Sequence, residues 1–187
     1  MRNKLALCKS KIAMVDNTFG INIIPENDEQ RVEALRNYNI IDGISDTAFE
    51  PVVNLASQIF DVPIAIMSLV DAENVYAKAG IGMADTRNAP RGTSLCSITV
   101  LEEGITVFEN TAIEPCLLVN PWVAGEFGLR FYAGAPLTTP QGLRIGTICL
   151  LDKKSRSFSE KDKSMLQRLA TIVMNLIELG CAKMVLV

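Results

Sequence analysis

Three stretches of this chain are apolar on both faces of a would-be strand, and turn chemistry interrupts each of them. The first, Pro63-Ile64-Ala65-Ile66-Met67-Ser68-Leu69-Val70, stops at Asp71-Ala72-Glu73-Asn74. The other two, Phe131 to Leu137 and Leu143 to Leu151, are separated only by Thr138-Thr139-Pro140-Gln141-Gly142. A strand without polar alternation belongs to a sheet covered on both faces, so this chain must supply a layer on each side. So short a turn-forming link cannot hold a crossover, and the last two strands must be antiparallel. Val75 to Ala79 is placed to return as a hairpin partner of the first run, and Ile105 to Glu109 reads as a further strand.

Helical periodicity brackets these strands. Asn27 stands at a capping position with Gln30 three residues on. Val32 and Leu35 give a short inward stripe, and Asp42-Gly43 ends the segment. A second helix is predicted over Thr47 to Phe60, with Phe49, Val52, Val53, Ala56 and Phe60 on one face. Pro51 there belongs in a first turn. Ser94 to Leu101 reads as a short helix, and residues 110–129 as an irregular connection. Ser159 and Asp162 open the last helix. Its main stripe is Leu166, Leu169, Ala170, Val173, Leu176 and Ile177. Met165, Ile172 and Leu179 form a second stripe, which either deepens the burial or pairs with another copy as a dimer interface. Helices at both ends with antiparallel strands between define an α+β class. The expected organisation is an N-terminal extension over 1–27, one domain over 28–180 and a short tail over 181–187. The extension reads as partly irregular: Phe19, Ile21, Ile23 and Ile24 either cross the domain as an arm or belong to a partly disordered segment.

Composition narrows the chemistry. The chain has 187 residues, 49% of them hydrophobic, and no histidine. That length supports one core burying roughly 70% of the unfolded surface without disulfides or metals. Without histidine there is no Ser-His-Asp triad, Cys-His dyad, His-ligated zinc or phosphoacceptor histidine. Acid–base work would fall to a shifted carboxylate, thiol or amine. The five cysteines, Cys8, Cys96, Cys116, Cys149 and Cys181, are scattered without a CxxC pair. They fit the reduced thiols of a cytoplasmic protein. No uninterrupted apolar run approaches the roughly 18–20 residues that span a bilayer. The four basic residues Arg2, Lys4, Lys9 and Lys11 make a solvated tail rather than a nucleic-acid footprint. No glycine-rich phosphate loop precedes a helix, and Gly80-Ile81-Gly82 reads as a structural turn.

The order helix, helix, PIAIMSLVD, loop, PRGTSLCSITV, NPWVAG, RFYAGAPL, IGTICLLD, long helix resembles the GAF domain family. The similarity is to bacterial GAF domains found alone or fused to histidine kinases and diguanylate cyclases, and it covers about residues 28–179. It rests on Arg130 to Leu137 in combination with Gly146 to Asp152. The resemblance implies a five- or six-stranded antiparallel sheet with the terminal helices on one face and a small-molecule pocket on the other. Two positions depart from the family pattern. Ile98 stands where relatives often carry histidine after the Ser-Leu-Cys, and Leu117-Leu118-Val119 replaces a common Arg-Phe pair before Asn120-Pro121. Both changes imply a more apolar pocket.

The candidate ligand-binding residues are Ser68, Tyr76, Cys96, Glu109, Trp122, Tyr132 and Thr147. Ser68 and Thr147 are hydroxyls in otherwise apolar strands, and a buried hydroxyl needs a partner. Trp122 reads either as a core plug or as an aromatic lid. Glu109 stands where the family often keeps an acid after a strand. The expected function is a non-catalytic sensor or regulator in bacterial signal transduction. An unidentified small molecule shifts the population of loop arrangements and the pairing of the terminal helices. No output domain is expected within this sequence, so the expected partners are a second copy or a signalling protein such as a histidine kinase or cyclase. Neither nucleic acid nor membrane is expected, and no cofactor. A bilin is disfavoured because the companion histidine is absent, and cyclic nucleotides because their Asn-Lys-x-Asp-type signature is not found. Two alternatives stay open. One is a thiol enzyme resembling free methionine-R-sulfoxide reductases, using Cys96 and Cys116. The other is a structural dimerisation module that binds nothing.

Overall fold

The protein is described from a computed structural model over residues 16–43, 46–83 and 87–185. The basic residues Arg2 to Lys11, Cys8 and the last two positions of the expected tail lie outside the described residues. Helices α1 (Asp28–Asn37), α2 (Ile40–Gly43) and α3 (Glu50–Phe60) precede the hairpin β1 (Ile64–Val70) and β2 (Asn74–Ile81). Then come β3 (Asn88–Pro90), α4 (Cys96–Thr99), β4 (Thr106–Phe108) and α5 (Pro121–Ala124). The chain closes with β5 (Phe131–Thr138), β6 (Arg144–Asp152) and α6 (Glu160–Val185). One antiparallel sheet runs in the order β3-β2-β1-β6-β5-β4.

This is the α+β arrangement expected from the apolar runs, and its six strands fall within the five or six that the resemblance implies. Alternation sends Ala65, Met67 and Leu69 of β1, with Ala133, Ala135, Ile148 and Leu150, toward α3 and α6. The opposite face carries Ile64, Ile66, Tyr132 and Cys149 under α4, α5 and the arm. In that arm Phe19 and Ile23 are buried in the second core, whereas Ile21 is exposed. Between Met67 and Ser68 the pairing with β2 slips by one residue. The extra residue is Lys78, whose ammonium donates to the Ile41 carbonyl at 2.9 Å and holds α2 against the sheet.

Several local expectations change. Asn27 makes no side-chain cap; its carbonyl accepts the Arg31 amide instead. The connection between the first hairpin and PRGTSLCSITV, read as loop, contains the edge strand β3, paired with β2 through Val75–Ala89. Gly80 belongs to β2, and the turn glycine is Gly82 alone (φ +78°), where a Cβ would strike the Pro63 carbonyl. The boundary expected at residue 180 falls inside α6, which continues to Val185. Helix α6 is also long and apolar enough to cross a membrane by length and composition. It buries Leu166, Val173 and Ile177 against the sheet; of the second stripe, Met165 is half-buried while Ile172 and Leu179 are exposed and do not deepen the core.

Candidate functional site

A cavity of about 70 Å³ lies on the sheet face opposite α6. Its floor is Ile66 and Ser68 of β1, Val75 and Ala77 of β2, Tyr132 of β5, and Cys149 and Leu151 of β6. Its cover is Ser94, Leu95 and Cys96 at the start of α4, with Trp122, Leu129 and Met83. Arg87, Asn88 and Ala89 form the β3 side. The walls are mostly hydrocarbon and sulfur. Trp122 is half-buried and packs edge-on against Phe127, ring centroids 5.5 Å apart, in the position of a lid rather than a core plug.

Polar groups converge on the floor. The register sets Ser68 directly opposite Thr147, and their hydroxyls lie 2.9 Å apart. Ser68 Oγ also donates to Cys96 Sγ at 3.3 Å, and Cys96 Sγ is 4.0 Å from Cys149 Sγ. The Tyr132 hydroxyl sits 2.8 Å from Thr99 Oγ1 and 3.8 Å from Cys96 Sγ. Room for this cluster comes from Gly134, the residue beside Cys149 in the ladder. A Cβ there would collide with the Tyr132 and Thr99 hydroxyls. The thiol of Cys149 donates to Cys96 and, with the Ser68 and Thr147 hydroxyls, holds Cys96 below the ordinary thiol range although burial pushes the other way. Cys149 moves up, because it gives that hydrogen bond and is itself buried. Burial, followed by the charge of Cys96, raises Tyr132.

The cover is clamped by groups that sequence reading did not single out. Asn120 accepts the Trp122 amide at 3.0 Å and donates to Thr18 Oγ1 and the Thr93 carbonyl, each at 2.9 Å. One side chain thus caps α5 and ties the arm to the loop before α4. Arg91 is fully buried, and its guanidinium grips Asp28 while reaching the Ala72 and Ile23 carbonyls. Arg31 joins the same carboxylate at 2.8 Å. Burial alone would raise Asp28, but the Arg91 hydrogen bond and the Arg31 charge outweigh it and hold the carboxyl below its usual value.

Over most of its length the chain also matches a known family. The GAF domain family matches residues 45–177. This chain belongs to the GAF domain family. Among curated proteins it is 34% identical over 151 residues to a cyclic di-GMP phosphodiesterase of Pseudomonas aeruginosa. That alignment takes in 80% of this chain and 26% of the relative, so the chain spans about a quarter of that protein's length. Among solved structures, the GAF domain of a phosphoenolpyruvate-protein phosphotransferase from Coxiella burnetii superposes with TM-score 0.62 at 17% identity, over 84% of this chain and 98% of that one. Free methionine-R-sulfoxide reductase from Neisseria meningitidis, solved with its substrate, superposes with TM-score 0.60 at 16% identity, over 84% and 93% of the two chains. At these identities the structural likenesses establish the fold.

Within this GAF domain the expected site residues divide. Ser68, Cys96, Trp122 and Tyr132 all line the cavity, and Thr147 lies beneath it on Ser68. Tyr76 does not line it. The cavity takes Val75 and Ala77 of β2, and alternation turns the residue between them to the other face. Glu109 does not line it either; it accepts the Phe158 amide at 2.6 Å and anchors the segment leading into α6. Ile98 is buried in the second core without lining the cavity, while Leu118 and Val119 are exposed. The apolar character of the site therefore comes from Ile66, Val75, Leu95 and Leu129, not from those departures. Cys116 is half-buried at the margin of the second core, and the sulfur facing Cys96 is that of Cys149.

Proposed function

We propose that this GAF domain is a non-catalytic sensory or regulatory module in bacterial signal transduction, holding a small, largely apolar molecule in the cavity over Ser68 and Cys149. One observation carries the reading. The strands that floor the cavity also floor the helices. Ser68 and Cys149 face the cavity, while their neighbours Met67, Leu69, Ile148 and Leu150 pack in the core with α3 and α6. A ligand that shifts β1 against β6 thereby alters the seat of α6, whose Ile172 and Leu179 are exposed for a second copy or a signalling partner such as a histidine kinase or cyclase. Packed interfaces respond to such shifts by switching between discrete arrangements. The similarity to a cyclic di-GMP phosphodiesterase supports the signalling context.

The test is native mass spectrometry of freshly purified protein together with a thermal-shift screen. A ligand at one hundred times its Kd stabilises by about 2.7 kcal/mol, which for a domain this size is a rise of about 5–10 °C in Tm. Ala77→Leu, which fills the cavity, should abolish that rise. No retained mass and no shift, with a persisting dimer, would favour a purely structural pairing module. A catalytic reading draws on the sulfur pair alone. Turnover of free methionine sulfoxide that disappears in Cys96→Ser would support it over sensing.

A further inference from the structure

We propose that Cys96 and Cys149 form a hydroperoxide-reactive dithiol between the cover and the floor of the cavity, closing to a disulfide that fastens α4 to β6. The proposal does not depend on the cavity taking a ligand. Both thiols are buried, their sulfurs are 4.0 Å apart, and both line the same cavity. Closing to a bonded separation near 2.05 Å asks for about 2 Å of approach, and α4 is a single turn at the cavity's cover. The cavity admits a molecule the size of hydrogen peroxide, since a water needs only about 10–15 Å³ of such space. Hydroxyls of Ser68 and Tyr132 reach Cys96 Sγ, so the surroundings support its thiolate without a histidine.

The Cys96 thiolate attacks one peroxide oxygen; an S–O bond forms, the O–O bond breaks, and the departing oxygen leaves as water or an alcohol after taking a proton. Cys96 is then a sulfenic acid, oxidised by two electrons, and the peroxide has been reduced. The Cys149 sulfur next attacks the Cys96 sulfur; the S–S bond forms, the S–O bond breaks, and the hydroxide leaves as water with the Cys149 proton. The two other described cysteines lack this arrangement. Cys116 is at the core margin, and Cys181 donates to the Tyr38 carbonyl at 3.1 Å, with burial raising its thiol.

The test treats the folded full chain with a small excess of hydrogen peroxide and maps its peptides without reduction. The expected product has lost two hydrogens, carries a Cys96–Cys149 linkage and reverts with dithiothreitol. In Cys149→Ser or Cys149→Ala, dimedone should trap a sulfenic acid on Cys96, and Cys96→Ser should give neither adduct nor linkage. Ser68→Ala should slow the reaction by at least about tenfold, the lower end of the worth of a hydrogen bond to a charged group. The proposal is overturned if both thiols stay reduced while Cys116 or Cys181 oxidises. It is equally overturned if the linkage joins other cysteines, or if the adduct appears on Cys149 in Cys96→Ser and not on Cys96 in the Cys149 variants. The wild-type map decides the matter even where a variant fails to fold.

Discussion

Asp28 and Arg91 meet across 63 residues of sequence as a two-pronged ion pair, Nη1 to Oδ2 at 2.9 Å and Nη2 to Oδ1 at 2.7 Å. Arg31 holds the same carboxylate, and both guanidiniums are buried. Asp28→Asn would strand two buried cations, which typically costs about 3–5 kcal/mol; urea denaturation measures it. The folded carboxyl lies below its ordinary value near 3.8. Its contribution is therefore complete above that value and lost as pH falls through the lower, folded one. Wild-type stability should drop on acidification below about pH 4, and the Asn variant should lose less over the same range. Equal acid slopes in the two proteins would show that Asp28 does not carry the effect.

The absence of a side chain at Gly134 is what seats the Tyr132 hydroxyl between Thr99 and Cys96. Gly134→Ala should cost about 1–3 kcal/mol, as overpacking of a filled core does. Tyr132→Phe removes the colliding oxygen. In that background the glycine substitution should cost less by at least about 0.5 kcal/mol, the coupling that a thermodynamic cycle detects between touching residues. Additive costs would mean that the hydroxyl is not what Gly134 accommodates.

How far the sequence speaks depends on whether a feature has a local signature. The strands are legible because uninterrupted apolar runs ended by turn residues have few other outcomes, and α6 because Ser159, Asp162 and the Leu166-to-Ile177 stripe agree. Ser68 and Thr147 stand out as hydroxyls in apolar strands, and the register brings them together. Cys149 reads as packing, because nothing in its own strand announces a sulfur arriving from α4. Tyr76 fails by one step of strand alternation. The cover from Met83 to Leu129 has no period to reveal which side chains turn inward, and the Asp28–Arg91–Arg31 cluster joins segments too far apart for any spacing rule.

Helix α6 carries the pairing half of the functional reading. Ile172 is 45% exposed and Leu179 60% exposed, on the side away from the sheet. Ile172→Lys combined with Leu179→Glu should leave the monomer's stability within about 0.5 kcal/mol, as surface changes do. It should also convert dimers to monomers in size-exclusion chromatography with light scattering. A wild-type protein that is monomeric at tens of micromolar, or a dimer that survives the substitutions, would rule out self-pairing through this helix.

The start of α6 is fixed by a reciprocal pair that can be broken without touching the core. Ser159 Oγ accepts the Asp162 amide at 3.2 Å, and Asp162 Oδ2 accepts the Ser159 amide at 2.9 Å and its hydroxyl at 2.6 Å. The Ser159 side chain, then its backbone amide, hold the Asp162 carboxyl below its ordinary value. Ser159→Ala should cost about 1 kcal/mol, a fall of about 2–4 °C in Tm. Ser159→Thr keeps a hydroxyl at the cap and should recover most of it. The first turn leads directly to Leu166 and the buried face of α6, so loosened capping should also raise amide exchange over Glu160 to Lys163 first. Uniform exchange along the whole helix would instead indicate that α6 opens as one unit with the sheet.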